Sequence, residues 1–126
     1  SAIVDGDAAL LRTAVENLVR NAVDAVREKG EGSVTVTVAR VPVPSIEVRD
    51  DGIGFDPADA ATLLLPFQSR KAHGHGLGLP LARKIAVLHG GTLRLTGERG
   101  RGATATIELV AVAGAAASGT FRTTFE

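Results

Sequence analysis

Up to Lys29 the apolar residues of this chain follow a helical period, and from Ser33 they follow a period of two. That switch constrains the fold more than any other feature. Between about Ala8 and Lys29, Leu11, Val15, Leu18, Ala22, Ala25 and Val26 fall on one broad stripe of a helix. Asp7 is a good N-cap for it, and Gly30 and Gly32 end it. Val34, Val36 and Val38 then alternate with Ser33, Thr35 and Thr37, and Ile46 and Val48 alternate with Glu47 and Arg49. Val41-Pro42-Val43-Pro44 interrupts the alternation, so the two runs are expected to pair antiparallel. Ser1 to Val4 is a candidate edge strand. Pro57 to Leu65 reads as a short helix, with Asp56 near its start and Pro66 after it. A further helix is expected from about Leu79 to His89. Pro80 is tolerated in its first turn, Leu81, Ile85 and Leu88 form the buried stripe, and Gly90-Gly91 is the stop. His89, in its last turn, reads as structural. Thr92 to Thr96 and Ala103 to Leu109 alternate again, joined by a hairpin loop from Gly97 to Gly102.

The order is helix, two strands, short helix, loop, helix, two strands. That is α+β, with helices covering one face of a mostly antiparallel sheet. The chain has 126 residues, enough for one domain with one core. Residues 1–110 are taken as that domain. Residues 111–126 are rich in Ala, Gly and Thr and are expected to be a flexible tail. With 44% hydrophobic residues but only four aromatics, all Phe, the core must be built from Leu, Val, Ile and Ala. Fourteen basic residues balance 14 acidic ones, so no charge excess points to nucleic acid or an anionic membrane. The absence of Cys excludes a disulfide framework and thiolate chemistry. No apolar run reaches the roughly 20 residues of a membrane span, and no signal peptide is visible. Met is absent even at position 1, and the expectation is a cytoplasmic segment of a longer protein.

Three stretches invite chemistry. In His73-Gly74-His75-Gly76-Leu77-Gly78-Leu79 three glycines alternate, and a helix begins at its end. Such a loop lets backbone N–H groups approach an anion, and the helix N-terminus adds roughly half a positive charge. A merely flexible loop reads the same way. Asn17, Asn21 and Asp24 lie within about 60° of one another on the first helix, beside its apolar stripe. Asn is a poor helix former. The cluster is either a solvated face or a set of oxygen ligands for a hard cation such as magnesium. Asp50-Asp51-Gly52-Ile53-Gly54 is either a tight turn or a carboxylate at a strand end, with two glycines that admit a ligand close to the backbone. Phe67 to Lys71 leads into the glycine loop as a lid or as an ordinary connector.

Taken together these motifs resemble the sensor histidine kinases. Asn17-Leu18-Val19-Arg20-Asn21-Ala22 is similar to their Asn box, Asp50 to Gly54 to their first glycine box, Pro66-Phe67 to their Phe box, and Gly74 to Leu79 to their second glycine box. The order and spacing fit from Asn17 through Leu109. The resemblance is to the catalytic, ATP-binding domain of the family, within the gyrase, chaperone and mismatch-repair ATPase superfamily. It implies a Bergerat fold: a two-layer α/β sandwich with a mostly antiparallel mixed sheet of about five strands and about three helices on one face. It implies ATP bound with Mg²⁺ under a lid. Asn21 would be the principal Mg²⁺ ligand, assisted by Asn17, and both would serve catalysis with Lys71, a lid cation near the terminal phosphate. Asp50 would accept from the adenine amino group, and Gly52 and Gly54 would let the backbone reach the base. Phe67, Gly74, His75 and Gly76 would belong to the nucleotide site. Leu77, Gly78 and Leu79 would present N–H groups to the phosphates, and Thr104 would reach toward the adenine.

The resemblance is not complete. Hydrolytic members of the superfamily carry a Glu one turn before the metal-ligand Asn, as base for water. Here Asn17 stands there, and an amide cannot take a proton, which favours phosphotransfer. Asp24 replaces a common Lys, Arg or Tyr, so that Asn21 to Ala25 looks like the subgroup of nitrogen-regulation and dicarboxylate-transport sensors. His75 replaces a Thr and either meets phosphate or points to solvent. The histidines are His73, His75 and His89, and none precedes the Asn helix. The segment is therefore expected not to phosphorylate itself. It would need a dimerisation and histidine-phosphotransfer domain, and a response regulator receiver domain downstream, with no nucleic-acid or membrane partner. By itself it would be a monomer. The alternatives are an anti-sigma-type serine kinase or a degenerate nucleotide-binding module without catalysis.

Overall fold

The computed structural model describes residues 8–40, 42–65, 78–109 and 120–125. Helix α1 (Ala8–Lys29) buries Ala14, Leu18, Ala22 and Ala25, and Leu11, Val19, Val23 and Val26 are half-buried beside them. Arg27 and Lys29 lie in its last turn, where cations complement the helix dipole. Gly30, at φ +98°, closes the helix by donating to the carbonyls of Val26 (2.9 Å) and Arg27 (3.1 Å). The candidate cap Asp7 and the candidate strand 1–4 lie outside the described residues.

Strands β1 (Val34–Ala39) and β2 (Ser45–Asp50) pair antiparallel, Val34 opposite Asp50 and Ala39 opposite Ser45. A 3₁₀ turn, Pro57–Asp59, follows. The Ala58 N–H donates to Asp56 Oδ1 at 3.0 Å, capping the turn before it runs into α2 (Ala60–Leu63). Helix α3 (Gly78–Leu88) ends in a Schellman motif. Gly91 donates to Ala86 (2.8 Å), Gly90 donates to Val87 (2.9 Å), and Gly90 takes the left-handed φ of +74°. The His89 ring Nδ1 donates to the Ile85 carbonyl at 2.8 Å, the structural role its place in the last turn suggested. Strands β3 (Thr92–Glu98) and β4 (Gly102–Glu108) form the expected hairpin. The ladder reaches Glu98 and Gly102, so the connecting turn is shorter than the glycines suggested.

The sheet has five strands in the order β3-β4-β2-β1-β5, and every pairing in it is antiparallel, with no mixed part among the described strands. Among the described residues its fifth strand comes from the C-terminal end. Six residues of the segment expected to be a tail, β5 (Thr120–Phe125), pair with β1, Thr120 opposite Ala39 and Phe125 opposite Val34. Thr and Phe favour extended backbone. The Ala- and Gly-rich stretch before them masked that signal in the sequence.

Directly opposed residues share a face of a sheet. The registers therefore put Val34, Val48, Asp50, Ala103, Ala105 and Ile107 on one face and Thr35, Glu47, Arg49, Thr104, Thr106 and Glu108 on the other. The first face carries the helices: α1 packs on β1 and β2, and α3 packs on β3 and against α1. Leu18, Ile85, Ile107 and Val34 are the largest fully buried side chains. Burying each of these stabilises the fold by roughly 1.5–3 kcal/mol. The stripe expected on α3 is wrong in detail. Ala82, Ile85 and Ala86 are buried, whereas Leu81 is 40% and Leu88 67% exposed. Small residues decide the face here. Ala14 and Ala22 of α1 and Ala82 and Ala86 of α3 are all buried, which lets two helices lie close over a core poor in aromatics. Among the described residues no helix is long and apolar enough to cross a membrane.

Candidate functional site

Between α1, the start of α3 and the helix-covered face of the sheet lies a cavity of about 540 Å³, within the usual range for a small-molecule site. Helix α1 contributes Asn17, Asn21, Asp24 and Glu28. Steps of four, three and four residues keep one helical face toward the cavity. Both mid-helix asparagines thus border the cavity, at some cost in helix propensity. The floor is apolar, with Val48 of β2, Leu95 of β3 and Ala103 and Ala105 of β4.

Asp50 ends β2 in this cavity. It is only 7% exposed, and among the described residues it is the one buried charged side chain. Burial of a carboxylate is costly unless hydrogen bonds compensate. Gly52 N–H donates to Asp50 Oδ1 at 2.9 Å, which fixes one carboxylate oxygen. The neighbouring Asp51 is exposed and acts differently: its carboxylate accepts from the Ser33 N–H at 2.6 Å and ties the loop to the start of β1.

The two glycines that follow have packing reasons of their own. A Cβ on Gly52 would lie 2.5 Å from the Ala25 carbonyl carbon, so the loop passes directly over α1. Gly54 takes φ +64°, and a Cβ there would overlap the Glu98 carbonyl oxygen of β3. The Ile53 N–H donates to Ala25 O at 3.2 Å, and Ile53 O accepts from Gly100 N–H at 2.7 Å. The loop is thus clamped between α1 and the β3–β4 turn.

At the other end of the cavity, Gly78, Leu79 and Pro80 open α3. A Cβ on Gly78 would sit 3.4 Å from both Asn21 Nδ2 and Oδ1, so the first turn of α3 abuts that carboxamide. Its leading N–H groups have no partner within the helix. Backbone N–H donors and a carboxamide oxygen are therefore adjacent at this end of the cavity.

Of the residues singled out in the sequence, Asn17, Asn21, Asp50, Gly54, Gly78 and Leu79 all border this cavity. Gly52 is buried behind it, against α1. Phe67, Lys71, Gly74, His75, Gly76 and Leu77 lie outside the described residues. Thr104 is not brought to the site: it pairs across from Arg49 and Thr96 on the uncovered face. Ala103, directly opposite Asp50, lines the cavity in its stead. Sequence reasoning also missed Arg20, Phe55, Leu63 and Arg99 at the cavity wall. Period two along β4 would have separated Ala103 from Thr104, but it could not say which of them faces the helices.

Residues 6–112 match the family of histidine kinase-, DNA gyrase B- and HSP90-like ATPases. The chain belongs to this family. It is 38% identical over 109 residues to the C4-dicarboxylate transport sensor protein DctS of Rhodobacter capsulatus, covering 84% of this chain and 17% of that protein. It is 38% identical over 112 residues to the histidine protein kinase DivJ of Caulobacter vibrioides, covering 84% and 18%. A crystal structure of full-length ShkA in complex with AMPPNP superposes with a TM-score of 0.68 at 29% identity, over 85% of this chain and 22% of that one. The chain thus spans about a fifth of the length of these relatives. As a histidine kinase-like ATPase domain it has the expected α+β sandwich, and it matches a dicarboxylate sensor of the kind its Asn21–Ala25 run suggested.

Proposed function

We propose that this chain is the ATP-binding catalytic domain of a sensor histidine kinase. It would transfer the γ-phosphate of Mg·ATP to a histidine on a separate dimerisation and phosphotransfer domain, from which a response regulator receives it. The observation that carries this reading is that Asn21, the start of α3 and the buried Asp50 all border one cavity in a domain of this family.

The donor set fits a magnesium ion. Mg²⁺ takes oxygen ligands, keeps several waters and binds through one or two protein groups plus phosphate oxygens. Asn21 would hold it, with Asn17 one turn away on the same cavity face. When bound, the ion neutralises charge on the phosphates. The chain's own part is positioning and electrostatics. Asp50 accepts from the adenine amino group, the apolar floor takes the base, and the first N–H groups of α3 face the phosphates. Lys71 and the glycines before Gly78 carry their roles from the family resemblance. Neither Asn17 nor Asn21 can take a proton from water, and Glu16, the adjacent acid, is exposed and does not line the cavity. Transfer is therefore favoured over hydrolysis.

The test is calorimetric titration of ADP into the chain with and without Mg²⁺. Saturable binding at a single site, strengthened by Mg²⁺, is expected. At an ADP concentration about 100 times Kd the protein should also gain about 2.7 kcal/mol of stability, visible as a rise in Tm. No heat and no thermal stabilisation at millimolar ADP would overturn the reading.

A further inference from the structure

Lys29 takes no part in the motifs and does not line the cavity. Its ammonium nevertheless holds two backbone carbonyls from distant parts of the chain. Nζ donates to Asp51 O at 3.0 Å and to Gly100 O at 3.1 Å. Both acceptors lie next to groups at the base end of the site, the first through a shared peptide plane and the second within one residue. The Asp51 carbonyl belongs to the Asp51–Gly52 peptide, which is planar, so fixing its oxygen fixes the Gly52 N–H at its other end. That N–H is the donor to Asp50 Oδ1 at 2.9 Å. The Gly100 residue held at its carbonyl donates its own N–H to Ile53 O at 2.7 Å, and Ile53 lines the cavity. The donor is an ammonium, and hydrogen bonds from a charged donor are stronger than neutral ones. The last turn of a helix also favours a cation.

We propose that Lys29 is a positioning residue for base recognition: it orients the Asp50 carboxylate through the Asp51–Gly52 peptide and sets the Ile53 wall through Gly100. The proposal rests on the nucleotide reading of the cavity. It separates two kinds of loss. Loosening the fold weakens every nucleotide alike, whereas turning the Asp50 carboxylate weakens a base with an exocyclic amino group more than one without.

The experiment compares ADP with inosine diphosphate, which carries an oxygen in place of that amino group. Each displaces a fluorescent trinitrophenyl-ADP from wild type, Lys29→Met and Lys29→Arg, and the Tm of each protein is recorded. Lys29→Met keeps most of the aliphatic stem and removes the donors. It should weaken ADP about five-fold, leave inosine diphosphate within about two-fold, and so lower the ratio between them. Lys29→Arg should restore most of the ratio. An unchanged ratio in Lys29→Met overturns the proposal, whether ADP affinity holds or both nucleotides weaken together. Wild type that binds ADP while Lys29→Met keeps the same ratio overturns this inference alone. Wild type that binds no ADP overturns the nucleotide reading and this inference with it.

Discussion

The two ends of the cavity are built on different principles. The Asp50 end is a strand terminus with both sides occupied: α1 lies under Gly52, and the β3–β4 turn lies against Gly54. Its carboxylate, Asp50, is buried, and hydrogen bonds at 2.7–3.3 Å fix the loop around it. The Asn21 end is a pair of helix faces. Asn17 and Asn21 are half-buried, and the neighbouring chain is the first turn of α3. A preorganised carboxylate suits a rigid, neutral base that must be told apart from others. Half-buried carboxamides and helix N–H groups suit phosphates, which are alike in every nucleotide and arrive with a solvated cation. On the proposed reading, selectivity would sit where the structure is over-determined, and charge handling where it is open.

The contrast breaks first at Gly54. An L residue at φ +64° costs roughly 1–2 kcal/mol, and a Cβ against the Glu98 carbonyl adds about 1–3 kcal/mol of overpacking. Gly54→Ala should therefore lower stability by about 3 kcal/mol in a denaturant titration. An unchanged midpoint would mean that the loop shifts freely and is not clamped. Asp50→Asn comes next. The amide oxygen still accepts from the Gly52 N–H, so folding should hold, but a charged acceptor is lost. Losing such a bond costs about 1.5–3 kcal/mol, roughly ten- to a hundred-fold in ADP affinity by calorimetry. The loss should be the same with and without Mg²⁺. Asn21→Ala should behave in the opposite sense. It should weaken binding about ten-fold in Mg²⁺ and little in its absence, as the loss of one oxygen ligand to the ion, about 1.4 kcal/mol. Equal weakening in both conditions would remove Asn21 from the metal site.

Much of this was legible in the chain. The 22 residues of α1, its glycine stop, both β-hairpin partners and the order of elements follow from period and punctuation. Asn17, Asn21, Asp50 and Gly78 could also be singled out in the chain, and all four border the cavity. What was illegible depended on tertiary choices. Leu81 and Leu88 outrank Ala82 and Ala86 in hydrophobicity, yet the alanines face inward because α1 offers small residues to meet them. The fifth strand lay behind a stretch without pattern. The packing duty of Gly54 could not be foreseen, since its obstacle, Glu98, is 44 positions away in sequence.

Thr104 gives the sharpest case, because it separates sequence resemblance from geometry. Placed in the site by the family resemblance, it pairs with Arg49 and Thr96 on the uncovered face. Period two then commits both of its neighbours, Ala103 and Ala105, to the cavity floor. A hydroxyl on the far side of a sheet cannot reach a ligand held on the near side, since the backbone lies between them. Thr104→Val keeps a β-branched side chain suited to the strand. It should leave ADP affinity within about two-fold and change stability by no more than about 0.5 kcal/mol, the usual range for surface substitutions. A ten-fold loss of ADP affinity in this variant would mean that β4 is read in the wrong register. That would move Ala103 out from beside Asp50, and the preorganised end of the cavity would then have to be rebuilt around a different floor.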